Sequence, residues 1–261
     1  MKLISLNIWC GKFFKPLIAF IKLQSEDTDI FCFQEMIDTK SDVKQYQGIR
    51  ANLLSEIKHV LPDFKVFYFP TLSGYDDDAE PVDFDLTYGQ AIFVKSSIKV
   101  ISQENFIISK DENFHTLKKD FSNLPTPLQY MSFILGDKEI SVSNFHGIPF
   151  PGNKLDTDKR LTEVKRTKEI IFSKGESQIL VGDFNLLPET QSIKIFEEDM
   201  RNLIKEFNIQ ITRSTLSPFY GRPDFQKFAD YAFVSNDIKV ENFKVPEVEI
   251  SDHLPIVVEF S

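Results

Sequence analysis

The sequence predicts an α+β sandwich, with sheets packed face to face and helices on the outside. Three observations lead there. Ten short runs rich in Ile, Val and Phe read as strands. Two stretches space their apolar residues three and four apart, as helices do. Strands alternate with helices early in the chain, then follow one another directly in its middle.

In order, strands are expected at residues 2–7 and 30–35, and a helix at 49–61, where the apolar spacing turns helical. Further strands are expected at 65–69, 90–95, 99–108, 129–135 and 139–146. A second helix spans 157–172, with Leu161, Val164 and Ile171 on roughly one face. Strands at 178–182, 231–234 and 255–260 complete the set. Neither a repeat nor a long linker interrupts the 261 residues, so residues 1–261 read as one domain.

Charge and composition exclude some classes. The 30 basic and 39 acidic residues leave a net charge of −9. A protein living by nonspecific contact with nucleic acid needs a basic face, so this balance weighs against a bulk DNA binder. The 26 phenylalanines read as core filling. Cys10 and Cys32 lie in apolar runs and read as buried thiols, not a disulfide framework. The apolar start is too short for a signal peptide and no 18-residue apolar run occurs, so a cytoplasmic protein without a membrane span is expected. The acidic stretch 74–85 reads as a solvated loop; it lacks the glycine and terminal glutamate of an EF-hand.

The informative feature is how strands end. Apolar runs stop at Asn7, at Gln34 and Glu35, at His146, and at Gly182, Asp183, Phe184 and Asn185. Two late strands carry their polar residues in front instead: Asp230 before one, Asp252 and His253 before the other. If the late strands run against the earlier four, all these groups meet at one sheet edge, where a rigid scaffold fixes catalytic geometry.

The stretches LISLNIW, DIFCFQEM, SVSNFHGIP, LVGDFNLLP, FADYAFV and SDHLPIVVEF, in that order, resemble the endonuclease/exonuclease/phosphatase superfamily, nearest its deoxyribonuclease and sphingomyelinase branches. The resemblance spans nearly the whole chain. It implies a four-layer α/β/β/α sandwich of two mixed sheets flanked by helices, and a metal-dependent hydrolase of phosphate esters.

The same resemblance implies roles. Glu35, Asn7 and Asp252 would offer oxygen ligands to a divalent cation, magnesium first and manganese second. Asp183 would orient or deprotonate the attacking water, and Asn185 would hold a phosphate oxygen. His253 would donate to the phosphoryl group, with Asp230 fixing its tautomer. His146 matches a second histidine, as proton donor or phosphate contact, although the glutamate that supports it in the deoxyribonuclease branch is replaced by Tyr88. Tyr88 would donate to a phosphate oxygen or sit as a partly buried strand tyrosine. Arg160, or Lys154 in the loop before it, would approach substrate phosphate, the alternative being a solvated helix surface. The loops 36–48, 74–85, 111–127, 148–156 and 214–226 are candidates for shaping specificity.

The expected activity is that of a phosphodiesterase or nuclease. An inositol-phosphate or phospholipid esterase is the main rival, and a non-catalytic binding protein on the same fold is the alternative from another class.

Overall fold

The computed structural model describes residues 1–110, 124–175 and 177–261. His115 and the larger part of the expected cleft loop 111–127 lie outside the described residues. The strands are β1 Lys2–Asn7, β2 Ile30–Asp38, β3 Phe64–Ser73, β4 Thr87–Lys95, β5 Val100–Ser109 and β6 Thr126–Leu135. They continue with β7 Lys138–His146, β8 Gln178–Asp183, β9 Met200–Asn202, β10 Asp230–Ser235, β11 Val240–Lys244 and β12 Ile256–Phe260. The helices are α1 Phe14–Gln24, α2 Leu53–Val60, α3 Asp158–Phe172, α4 Gln191–Glu197 and α5 Leu203–Glu206.

Two six-stranded sheets form, in the orders β11-β12-β1-β2-β4-β3 and β5-β6-β7-β8-β10-β9. Both are mixed: β1 and β2 run parallel, as do β7 and β8, while the remaining pairs are antiparallel.

Alternation along each strand decides which layer a side chain enters. On the first sheet, Ile4, Leu6, Phe31, Phe33 and Phe93 point outward and pack with Leu17 and Ile21 of α1 and Leu53 and Ile57 of α2. Leu3, Ile30, Cys32, Ile92 and Val94 point inward and join the core of the second sheet. That sheet is covered in turn by Val164 and Ile171 of α3, Ile193 and Phe196 of α4, and Leu203 of α5. The result is the four-layer sandwich. Both cysteines are free and buried, and no helix among the described residues is long and apolar enough to cross a membrane.

Between the sheets, behind the edge that will carry the site, apolar packing gives way to amides. Gln34 donates to Oδ1 of Asn144 at 2.6 Å, Gln90 to the Asn144 carbonyl at 2.8 Å, and Asn144 itself to the Phe33 carbonyl at 3.3 Å. Gln129 adds a bond to the Phe67 carbonyl at 3.0 Å. Each is a directional tie from one sheet to the other, so the network fixes their relative position more tightly than apolar contact would.

Differences from the sequence reading are local. Helix α1 was not expected; its proline, Pro16, sits in the first turn, where no intrahelical N–H bond is lost. The short β9, β11, α4 and α5 were also not expected, being too brief to show a period. β2 does not stop at Glu35. It continues to Asp38 through a bulge between Gln34 and Met36.

Candidate active site

Strand direction gathers the polar ends. Because β1 and β2 are parallel, Asn7 and Glu35 share an edge, and because β7 and β8 are parallel, His146 and Asp183 are register partners. β10 runs against β8 and pairs Asp230 with Asp183, while β12 runs against β1, so its lead-in brings Asp252 and His253 to the same edge. The bulge in β2 puts Glu35 at φ 55, turning its side chain out of the regular alternation and toward Asn7. At the end of β8 a close approach requires glycine. Gly182 has φ 143, and a Cβ there would lie 1.9 Å from the Phe145 carbonyl oxygen.

The groups form one connected constellation. Nδ2 of Asn7 donates to Glu35 Oε1 at 2.9 Å and to Asp183 Oδ2 at 3.0 Å. The same Asp183 oxygen lies 3.6 Å from Nε2 of His253 and 3.7 Å from Nε2 of His146. Nδ1 of His253 faces the Asp230 carboxylate at 2.8 and 3.0 Å. The other Asp183 oxygen accepts from the Asn185 backbone N–H at 2.9 Å, closing a tight turn in which Asn185 takes φ 54, a conformation asparagine tolerates. Asn185 donates one amide N–H to the Gly147 carbonyl at 3.1 Å and accepts from Lys154 Nζ, which also donates to the Pro149 carbonyl at 2.8 Å.

Electrostatics separate the roles. Burial pushes the Asp183 carboxyl up, but His253, His146, Lys154 and Arg213 together hold it below its ordinary value, so it is ionised. Burial and Arg213 depress His253, yet the carboxylates of Asp230, Asp252 and Asp183 outweigh them and lift it to about 9. Burial raises Asp230 to about 6, with His253 acting against that rise. His146 goes the other way: burial lowers it to about 4, leaving it neutral. Two histidines on one edge are thus shifted in opposite directions.

Glu35 is raised to about 7, first by burial and then by the nearby Asp252 carboxylate. Two carboxylates held close and out of water repel each other, and a divalent cation between them removes that repulsion. The donor set is all oxygen, which fits a hard cation such as magnesium. Asp183, Asp230 and His253 also lie close enough to one another to suggest a ligand group. However, Nδ1 of His253 is committed to Asp230 at 2.8 Å, and the strand register pairs Asp230 with Asp183; together these account for their proximity. Glu35, with Asp252 beside it, offers the carboxylate oxygens that could hold such a cation. Asn7, expected as a ligand, presents its donor to Glu35, while its oxygen accepts from the Trp9 backbone N–H at 3.0 Å. In this arrangement it orients the carboxylates of Glu35 and Asp183.

Two further expectations meet the structure differently. Tyr88, near the start of β4, lines a narrow cleft with His146, Gly147 and Pro149, so it does reach the site's margin. Arg160 does not. It is fully buried, and its guanidinium donates to the carbonyls of Leu155, Pro151 and Ile148 at 2.6, 2.9 and 3.2 Å. It is neither a substrate contact nor a solvated helix residue; it ties down the loop that carries Lys154.

Arg213 was missed by sequence reasoning. Its backbone bridges to His253, Nη1 lies 2.7 Å from His253 Nε2, and Nη2 donates to Asp252 at 3.0 Å. No local motif marks it, since the neighbour that gives it meaning is 40 residues away.

Comparison with known proteins decides the family. The sequence profile of the Endonuclease/Exonuclease/phosphatase family matches residues 4–253. The chain belongs to this family of phosphoester hydrolases. Among solved structures, a family protein from Leptotrichia buccalis superposes with a TM-score of 0.72 at 16% identity, covering 100% of this chain and 99% of that one. The human Nocturnin catalytic domain with bound sulfate gives 0.71 at 16% identity, covering 100% and 93%. A mannosyl-6-phosphatase of Bacteroides thetaiotaomicron gives 0.67 at 18% identity, covering 100% and 99%. At these identities the likeness is one of fold. Among curated proteins, none matches the sequence.

Proposed function

We propose that this chain is a magnesium-dependent phosphoester hydrolase that cleaves a P–O bond by in-line attack of water, with manganese as a second usable cation. The observation that carries the reading is the continuous set of contacts from Glu35 through Asn7 to Asp183, with His253 and Asp230 beyond. Ionised Asp183 takes a hydrogen bond from the attacking water and receives its proton. His253, charged and held in one orientation by Asp230, donates through Nε2 to a phosphoryl oxygen as negative charge grows there. Neutral His146 and the free N–H of Asn185 line the same space and hold the remaining oxygens. A magnesium ion at Glu35 and Asp252 would supply further charge neutralisation at the phosphoryl group.

A nucleic-acid diester as substrate draws support from family membership, while the net charge of −9 weighs against long duplex contact. A purely binding role is disfavoured because Glu35, Asp183, Asn185, Asp230, Asp252 and His253 are all assembled. The test is hydrolysis of a chromogenic phosphoester, DNA, RNA and inositol phosphates by the full chain with magnesium, with manganese and with excess chelator. Turnover that needs metal and disappears in His253→Ala supports the reading. Turnover that survives the chelator would remove it.

A further inference from the structure

Beside the catalytic groups lies a cavity of about 480 Å³, within the range of small-molecule sites. Its lining comes from two stretches of chain, 149–154 and 213–228. At one end stand Lys154 and Arg213, both touching the catalytic constellation: Lys154 on Asn185, and Arg213 on His253 and Asp252. The walls are Phe150, Phe219, Phe225 and Phe228, with Asn153 and Gln226 among them. Phe150 and Phe219 are 52% and 45% exposed, a costly position for two phenylalanines unless a ligand covers them. The walls are also braced from behind. Arg222 sits 5.0 Å from the Phe219 ring centre, and Tyr220 meets Phe225 edge-on at 5.4 Å.

We infer that this cavity takes the alcohol part of a phosphate monoester bearing a planar aromatic ring, of the kind a nucleoside 5′-monophosphate presents. The inference rests on the phosphoester-hydrolase reading and names its substrate class. Arg213 Nη1 is 2.7 Å from the His253 nitrogen that faces the phosphoryl group, so an oxygen bound by one is within reach of the other. Two cations in addition to His253 suit the nearly doubly charged monoester better than a singly charged diester. Away from that end the lining is aromatic, neutral or acidic, with Asp224 on it; Lys154 and Arg213 are the cations among the described lining residues. Arg222, behind the Phe219 wall, is already paired with Asp224 at 3.0 Å, so a second phosphate would meet no unpaired cation there, whereas a ring would meet stacking surfaces and two side-chain amides. The reaction balances simply. Water oxygen bonds to phosphorus, the ester P–O bond breaks, the leaving oxygen takes a proton, and the products are the free alcohol and inorganic phosphate.

The test uses the full chain with magnesium and four probes: adenosine 5′-monophosphate, ribose 5-phosphate, the dinucleoside diester ApA and a chromogenic phosphoester. Adenosine 5′-monophosphate should exceed ribose 5-phosphate in kcat/KM by about tenfold, the scale of one stacked base, and should exceed ApA. The double variant Phe150→Leu, Phe219→Leu changes two exposed side chains and should bring the first ratio to about one. Calorimetric binding with chelator present should show the same preference for the base-bearing probe. Equal rates for the two monoesters, a ratio unmoved in the double variant, or faster cleavage of ApA would overturn the inference while the hydrolase reading stands. Silence on all four probes, the chromogenic ester included, would overturn both.

Discussion

Nη1 of Arg213 lies 2.7 Å from Nε2 of His253, while Nδ1 of that ring lies 2.8 Å from Asp230. An arginine has only donors, so the short contact requires a lone pair on Nε2, and hence the neutral ring with its proton on Nδ1. Protonation of Nε2 and this contact exclude each other. The charged donor form of His253 therefore comes with Arg213 turned off the nitrogen and free to meet the phosphoryl oxygens itself.

This predicts opposed pH shifts. The donor form of His253 is present below about pH 9 and lost above it, so kcat/KM falls on an alkaline limb near that value. Asp230→Asn removes a carboxylate that raises the ring and should move the limb down, with a loss in rate of about a hundredfold or more. Arg213→Ala removes a charge that lowers the ring and should move the limb up, while raising KM. pH–rate profiles of the two variants check this. Limbs that move together would contradict it.

His146 predicts an acid-side loss of stability. Its folded value of about 4 lies below the ordinary histidine value of 6.5. Between those values the unfolded chain binds a proton that the folded one refuses, so stability is present above pH 6.5 and is lost as pH falls toward 4. The full difference is about 3 kcal/mol. Urea titrations at pH 7 and pH 4.5 should show a smaller loss for His146→Asn than for the parent chain. Equal losses would show that another group governs acid unfolding.

Arg160 should matter to stability first. Arg160→Met removes the guanidinium donor from the carbonyls of Ile148, Pro151 and Leu155, of which Pro151 keeps the Lys154 backbone N–H at 3.3 Å. The buried Ile148 carbonyl left unpaired costs about 1–3 kcal/mol, so a loss of that order is expected. With the loop loosened, Lys154 loses its fixed place on Asn185. Denaturant midpoints measure the first effect, and a KM increase larger than the change in kcat the second. A variant as stable as the parent would contradict the clamp.

Much of the fold was legible because strand runs such as 139–146 and 178–182 end abruptly in polar residues, and one assumption about direction brings those ends together. The antiparallel placement of β10 and β12 meets that assumption. The four-layer arrangement followed from the resemblance, not from periodicity. What stayed hidden depended on long-range contact. Arg160 looks like a helix-surface cation until the loop 148–155 folds over it. Arg213 has no neighbour in sequence that marks it. The bulge that aims Glu35 is a matter of backbone conformation, with no glycine to announce it.

The most direct test of the central claim is magnesium-dependent hydrolysis of a chromogenic phosphoester by the parent chain and by Glu35→Gln, each shown to be folded. Replacing the carboxylate by an amide keeps the shape and removes the charge that draws the cation. The account predicts a loss of about a thousandfold or more, partly restored by raising the magnesium concentration. A Glu35→Gln variant that turns over the ester at the parent rate, or a parent chain indifferent to chelator, would contradict it.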